Sequence, residues 1–331
     1  MMNEHPFAPF IRILGKGPRL SRPLTQAEAE AAAGMILDGA VEPVQLGAFL
    51  CLLRVRTETA EEVAGFAQAI RRRLARPADL PAVDLDWPSY AGKSRRLPLF
   101  VLAALLLAEN GVSIIMHGSD PHTAGRLYTE EALAALGLMP AGAADTLAAQ
   151  LGRRNFAYVG LRTLSPRLEE VMGLKGLLGV RSPLHTVLRN INPFDARVSL
   201  MSVFHPNYRA IHCAAARLMG QAEVVCFKGD GGEVERRPEK PCLVEGLRGG
   251  EAFQEEWPAW DIAAPPAEED LDPAQLGRLW RGEMALDHAE AVVVATVAVA
   301  LKALGRAASF TAAEEQARSL WRERQRTALF A

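Results

Sequence analysis

The chain has 331 residues, 49% of them hydrophobic and 23% charged, with a net charge of −2. That is enough apolar material for a substantial core, in one large domain or two unequal ones. Four cysteines, Cys51, Cys213, Cys226 and Cys242, fall at no CxxC or metal-ligand spacing, which excludes a disulfide frame and reads as buried thiols in a reducing compartment. Residues 1–18 mix charge, proline and glycine as no secretory leader does. The longest uncharged apolar run, Ala291–Leu301, falls far short of the roughly 20 residues a membrane span needs, so a cytoplasmic protein is expected.

The charge is unevenly spread. Residues 251–272, EAFQEEWPAWDIAAPPAEEDLD, hold eight acids and no base, so the remainder of the chain carries −2 + 8 = +6. Basic residues gather at Arg71-Arg72-Arg73 with Arg76, at Lys93-Arg95-Arg96, at Arg153-Arg154, at Arg236-Arg237 with Lys240, and at Arg322-Arg324-Arg326. Singly, such clusters read as solvated faces. Several on one rigid body would sum into a patch for a polyanion.

In chain order, Thr25-Gln-Ala-Glu28 is a capping box that opens a helix through Leu37. After Pro43, VQLGAFLCLLRVR reads as a second, buried helix. Thr59-Ala-Glu-Glu62 caps a third, which ends in Arg71–Arg73. Residues 76–83, RPADLPAV, form a linker. Beyond it, Val83–Leu85 is a strand candidate, DWPSYAGKSRR a loop, LPLFVLAALLLAENG a helix and VSIIMHG a strand, which together make a parallel βαβ unit. A helix follows at Thr129–Leu136, then a buried strand in QAEVVCFKGDGGEVE and a long apolar helix in ALDHAEAVVVATVAVALKALG. The acidic 251–272 stretch reads as an exposed excursion. The expected organisation is a helical domain over 1–80, completed by later helices, and an α/β domain over 81–331.

Three stretches carry a resemblance: LTQAEAEAAAGMILDGAVEPVQLGAFLCLLRVRTETAEEVAGF, GVRSPLHTVLRNINPF and VFHPNYRAIHCAAARLMGQAEVVCFKGDGGEVE. They resemble the anthranilate phosphoribosyltransferases, whose fold is also shared by nucleoside phosphorylases of the thymidine type. The resemblance implies a small all-α domain beside a larger α/β domain, dimerising through the former.

The family's ligand motifs, carried over, are all altered. Its GTGGD pyrophosphate loop falls on DLDWPSYAGKSRR, where Trp87-Pro88 replaces the glycine turn, and proline and bulky side chains withhold backbone N–H groups. Its KHGNR motif is MHGSD here: His117 and Gly118 remain, but Met116 cannot neutralise a phosphate. Its magnesium-binding Asp-Glu pair falls on Val234-Glu235, and its anthranilate-pairing arginine on Lys175, a point charge without a bidentate fork.

These variants together resemble the YbiB-type branch of the family. That branch keeps the fold, lacks demonstrated transferase activity and binds nucleic acid as dimers with a basic groove. The expected function is therefore non-catalytic binding of nucleic acid, DNA and single-stranded, with no cofactor. The nucleic-acid-binding residues expected are Arg71, Arg72, Arg73, Arg76, Lys93, Arg95, Arg96, Arg153 and Arg154, with Phe156 and Tyr158 as stacking aromatics beside the last pair. A vestigial ligand site comprises Trp87, Tyr90, His117, Gly118, Lys175 and Glu235; Trp87 and Tyr90 either plug the pyrophosphate cavity or stack on bases. The alternative is a glycosyltransferase using a modified donor loop and magnesium. A third reading gives the acidic 251–272 segment a basic protein partner.

Overall fold

The structure, a computed structural model, describes residues 4–327. Its N-terminal helices are α1 (Ala8–Gly15), α2 (Gln26–Leu37), α3 (Pro43–Arg56) and α4 (Ala60–Arg71). Thr25 and Thr59 each accept a hydrogen bond from the N–H three residues on, while the Glu28 and Glu62 carboxylates accept the cap N–H. Gly65 lets α4 lie directly on α2: a Cβ there would stand 2.3 Å from the Gln26 carbonyl oxygen. The core of this module also takes Leu161, Leu168, Val171, Leu184 and Leu188. These come from α8 (Leu161–Leu164), α9 (Pro166–Gly173), α11 (Leu184–Val187) and the turn after it; α10 (Lys175–Leu178) lies on the same return crossing.

The larger domain is one sheet of seven strands: β1 (Leu85–Ser89), β2 (Ile114–Gly118), β3 (Phe156–Gly160), β4 (Val198–Val203), β5 (Val224–Lys228), β6 (Cys242–Arg248) and β7 (Glu251–Trp257). They lie in the order β3-β2-β1-β4-β5-β6-β7; the first five are parallel and the last two antiparallel. One face is covered by α5 (Leu99–Glu109), in which every residue from Leu99 to Ala108 is buried, and by α14 (Asp287–Ala303). Leu85, Trp87, Ile114 and Met116 point into that core, so the strand alternation sends Asp86 and His117 to the opposite face. The other helices are α6 (Thr129–Ala135), α7 (Ala144–Arg154), α12 (Tyr208–Leu218), α13 (Ala274–Arg281) and α15 (Phe310–Glu323). Among the described residues, no helix is long and apolar enough to cross a membrane.

The winding of the sheet reverses between β1 and β4, because β2 and β3 lie on one side of β1 while β4 and β5 lie on the other. The crevice outside the carboxyl ends of strands at such a switch point is where open α/β sheets hold ligands.

Several expectations need correcting. β1 begins two residues later than Val83 and runs through Ser89, so Trp87 and Pro88 are strand residues paired with Met116 and His117, outside the loop. The acidic 251–272 stretch is no single excursion. Its first seven residues are β7, and Glu269 donates its N–H to the Arg95 carbonyl at 2.8 Å, folding the rest back on the basic loop. Arg236 is fully buried, held by Glu314 and the Pro258 carbonyl. Arg324 is buried as well, donating to the Leu279 and Trp280 carbonyls that end α13. Neither is a surface cation. Cys226 and Cys242 are buried, but Cys51 and Cys213 are only half-buried.

Candidate functional site

The turn after β1 aims two backbone N–H groups at one acceptor. The N–H groups of Ala91 and Gly92 converge on a single atom, Oε1 of Glu233, at 2.6 and 2.7 Å. A carboxylate of the chain's own thus occupies the anion position this turn offers. Glu233 is buried, and burial raises its pKa, with the Arg189 guanidinium opposing. The carbonyls of the same residues accept from Arg126 at 2.8 and 3.1 Å. One short turn is therefore clamped between a carboxylate and a guanidinium.

Lys93 stands beside this clamp and is 1% exposed, with its ammonium between Asp230 and Glu235. Burial works against that charge, but Glu235 and Asp230 more than offset it and raise its pKa. Asp230 is held below the usual carboxylate range: burial opposes ionisation, and Lys93, Arg96 and Arg237 overcome it. Burial and the neighbouring Asp230 push Glu235 up to about 7, against Lys93, and its second oxygen accepts the Phe100 N–H at 3.0 Å. Octahedral Mg²⁺ does not fit these carboxylates, because an internal ammonium already sits between two of them and backbone N–H groups hold the third. Val234, in the position of the missing aspartate, is buried.

Asp86 accepts from His117 Nε2 at 3.0 Å, which leaves Nδ1 to accept the Tyr90 hydroxyl at 2.7 Å. Burial raises the Tyr90 pKa well above its ordinary value, so the phenol keeps the proton this chain needs. Trp87, Tyr90 and His117 are each 0% exposed. Of the two roles open to Trp87 and Tyr90, this burial removes base stacking. Gly118 packs so closely that a Cβ would lie 2.2 Å from the Ser89 carbonyl oxygen.

A cavity of about 370 Å³ opens beside the switch point, between the helical module and the ends of β4 and β5. Arg54 from α3, Arg126 from the β2–α6 connection, Arg181 and Arg189 flanking α11, and His205 after β4 line it. No Asp or Glu is among its lining residues. The carboxylates that act on these arginines, Glu58 and Glu233, are buried and engaged by Tyr208 and by the Ala91 and Gly92 N–H groups. Partial burial, and to a lesser extent crowding by Arg126 and Arg54, lowers the Arg181 pKa.

At the rim, Lys175 donates to Thr123 Oγ1 at 2.7 Å. His122 and His185 meet through their Nε2 atoms at 3.1 Å. The Ser182 carbonyl accepts His185 Nδ1–H and the Tyr128 hydroxyl donates to His122 Nδ1, so the link runs from His122 Nε2–H to an unprotonated His185 Nε2. Both rings are neutral: burial first, then Lys175 and Arg181, push His122 down to about 4, and burial pushes His185 down to about 3. Among the described residues, no group of three His, Cys, Asp or Glu could hold a metal.

The cations expected from sequence lie elsewhere. Lys93 is no surface contact, since a side chain this buried and doubly paired cannot touch nucleic acid. Arg71 and Arg76 pair with Asp195, Arg72 with Glu30, Arg73 with Asp38, and Arg96 with Asp230 at 3.3 Å. Arg95 and Arg153 are exposed; Arg154 is half-buried and donates to the Phe156 carbonyl. Phe156 and Tyr158 are buried inside β3, so they offer no stacking surface. The four cleft arginines escape sequence reasoning because none lies in a long basic run, and only the fold gathers them. Two of them lie in GVRSPLHTVLRN, a stretch whose likeness to the family was its only signal.

Comparison with known proteins agrees with this architecture. Residues 8–74 match the helical bundle domain of the glycosyl transferase family. Over 96% of this chain and 94% of the other, the fold superposes on the anthranilate phosphoribosyltransferase of Thermus thermophilus with a TM-score of 0.79 at 22% identity. The uncharacterized protein YbiB of Escherichia coli is 29% identical over 205 residues, 60% of this chain and 63% of its own. An anthranilate phosphoribosyltransferase of Methylocella silvestris is 30% identical over 267 residues, 80% of this chain and 74% of its own. With that extent of identity and a shared architecture from end to end, this chain belongs to the anthranilate phosphoribosyltransferase family.

Proposed function

We propose that this chain is a non-catalytic member of its family that binds nucleic acid in the arginine-lined cleft, with most contacts to phosphate. The observation that carries the reading is the cleft's composition: four arginines converge there with no carboxylate among the lining residues. Such an excess of fixed positive charge is a cost to folding unless an anion relieves it. Arg95, Arg153 and Arg154 serve as flanking contacts. Arg71, Arg72, Arg73, Arg76 and Arg96 contribute weakly, because each must first leave an acidic partner. The reading needs no cofactor and carries a cytoplasmic location with it. The chain acts as a homodimer through α3, whose Val44 and Val55 are 79% and 85% exposed beside Leu177 at 82%.

The test is the salt dependence of binding to a labelled oligonucleotide. With four arginine–phosphate contacts on a single strand, log K falls by about 0.7 × 4 = 2.8 per decade of salt, or about 50-fold between 50 and 200 mM. Arg126→Ala lowers that slope by about 0.7, whereas Arg72→Ala, already paired with Glu30, barely moves it. A slope near zero, or no binding at 50 mM salt, refutes the reading.

A second reading, phosphoribosyl transfer, is favoured by the kinship with anthranilate phosphoribosyltransferases. It requires Glu233 and Lys93 to vacate the turn after β1. Calorimetric heat from phosphoribosyl pyrophosphate with Mg²⁺ would restore it.

A further inference from the structure

Among the cavity's lining residues, Phe204 is a large apolar ring left open to water. It follows β4 directly and is 56% exposed, in a cavity whose lining also holds four arginines and three histidines. Its ring and that of His205 are nearly perpendicular, with centroids 4.9 Å apart and planes at 84°, so the two are not stacked face to face. Gly232, at φ +90°, passes under Phe204, and a Cβ there would lie 3.3 Å from the Phe204 Cβ. An apolar ring open to water inside a concave, cation-lined wall leaves area that a planar base would bury. The arginines opposite, Arg54, Arg126, Arg181 and Arg189, supply the cationic half of a composite surface.

Resting on the nucleic-acid reading above, we propose that the cleft takes one unstacked nucleotide of a single strand, its base against Phe204 and its phosphates on the arginines. The cavity, about 370 Å³, lies at the small end of the range of pockets that hold compact ligands, about 300–1,000 Å³. It has room for one residue of a strand and none for a duplex. An aromatic face accepts any base, so the site is tolerant of sequence. A base reaches it only where it is free of its own stack, so single strands are preferred. Phe204 is the residue that sets this preference, while the arginines set the overall affinity.

The experiment compares three fluorescein-labelled probes by anisotropy at one low salt concentration: a 12-residue thymidine strand, a duplex of the same length, and a 12-residue abasic strand. Wild type binds the thymidine strand most tightly. Phe204→Ala weakens that complex about tenfold, as the loss of one stacked base does, and leaves the salt slope unchanged. The abasic strand binds wild type and Phe204→Ala equally. Phe204→Trp restores the affinity for thymidine, which a general loss of fold could not allow, and unchanged thermal unfolding of Phe204→Ala checks the same point. The inference is overturned if Phe204→Ala binds the thymidine strand as wild type does, or if wild type holds the abasic strand or the duplex as tightly. Those results leave the nucleic-acid reading standing. If wild type binds none of the three probes, that reading fails and the nucleotide site falls with it.

Discussion

Replacing Lys93 by methionine distinguishes a buried structural cation from a surface contact. The substitution keeps the length and apolar stem of the side chain and deletes the ammonium between Asp230 and Glu235. The two carboxylates are not left equally exposed to the loss. Asp230 retains Arg96 at 3.3 Å and Arg237 at 4.0 Å, whereas Glu235, 2% exposed, keeps only the Phe100 N–H. Breaking a buried pair by removing one partner costs about 3–5 kcal/mol. Glu235 can escape part of that by taking up a proton, which places the loss near the lower end, about 3 kcal/mol.

Its pKa is already raised to about 7 from an ordinary value of 4.5, and losing Lys93 raises it further. A carboxyl with a raised folded-state pKa stabilises most below the unfolded value, and that contribution is lost as pH rises through the folded one. The variant's deficit is therefore larger at pH 8 than at pH 5.5, and adding Glu235→Gln recovers much of it. At about 1–2 °C per kcal/mol for a chain of this length, the melting temperature falls by roughly 3–6 °C at pH 8. Thermal unfolding by circular dichroism at both pH values reads this directly. A Lys93→Met variant that melts like wild type and loses nucleic-acid binding would refute it, and would return Lys93 to the surface role its sequence neighbourhood suggests.

Two further expectations concern packing and acid sensitivity. Gly65→Ala forces α2 and α4 apart, since the new methyl would overlap the Gln26 carbonyl and the Ala29 side chain; overpacking of this kind costs about 1–3 kcal/mol, here toward the upper end, and an unshifted denaturation midpoint would contradict the close contact. His212 is buried, with Nδ1 against the Asn190 side chain, and burial pushes its pKa down to about 3. A base held neutral in this way stabilises above its ordinary pKa near 6.5, and the contribution disappears as pH falls toward 3. The stability deficit of His212→Gln is therefore greatest near pH 8 and narrows steadily below pH 6.5; a deficit independent of pH would show that the ring is not held neutral.

Local signals were legible without coordinates. Both capping boxes form as Thr25-x-x-Glu28 and Thr59-x-x-Glu62 require, because those bonds lie within four residues of chain. The βαβ unit around Leu99–Glu109 follows from an apolar helix between two apolar strands, and the altered motifs marked the donor site as changed. The reason for the change was not legible. From its residues the loop reads as closed by Trp87-Pro88, yet those residues are in β1, and it is Glu233, 141 residues beyond Gly92, that takes the turn's N–H groups.

Charge was the least transferable signal. Neighbouring cations such as Arg71, Arg72 and Arg73 diverge onto separate acidic partners, and Lys93 turns inward while Arg95 turns out. A run along a chain is not a patch in space. The sequence by itself determined the family, the helical module and the loss of the orthodox donor motifs, since these rest on local spacing and on residue identity. Only the tertiary structure decided where the arginine-lined cleft is. Arg54, Arg126 and the pair Arg181 and Arg189 come from three separate stretches of chain, and nothing but the packing of the helical module against the ends of β4 and β5 brings them together.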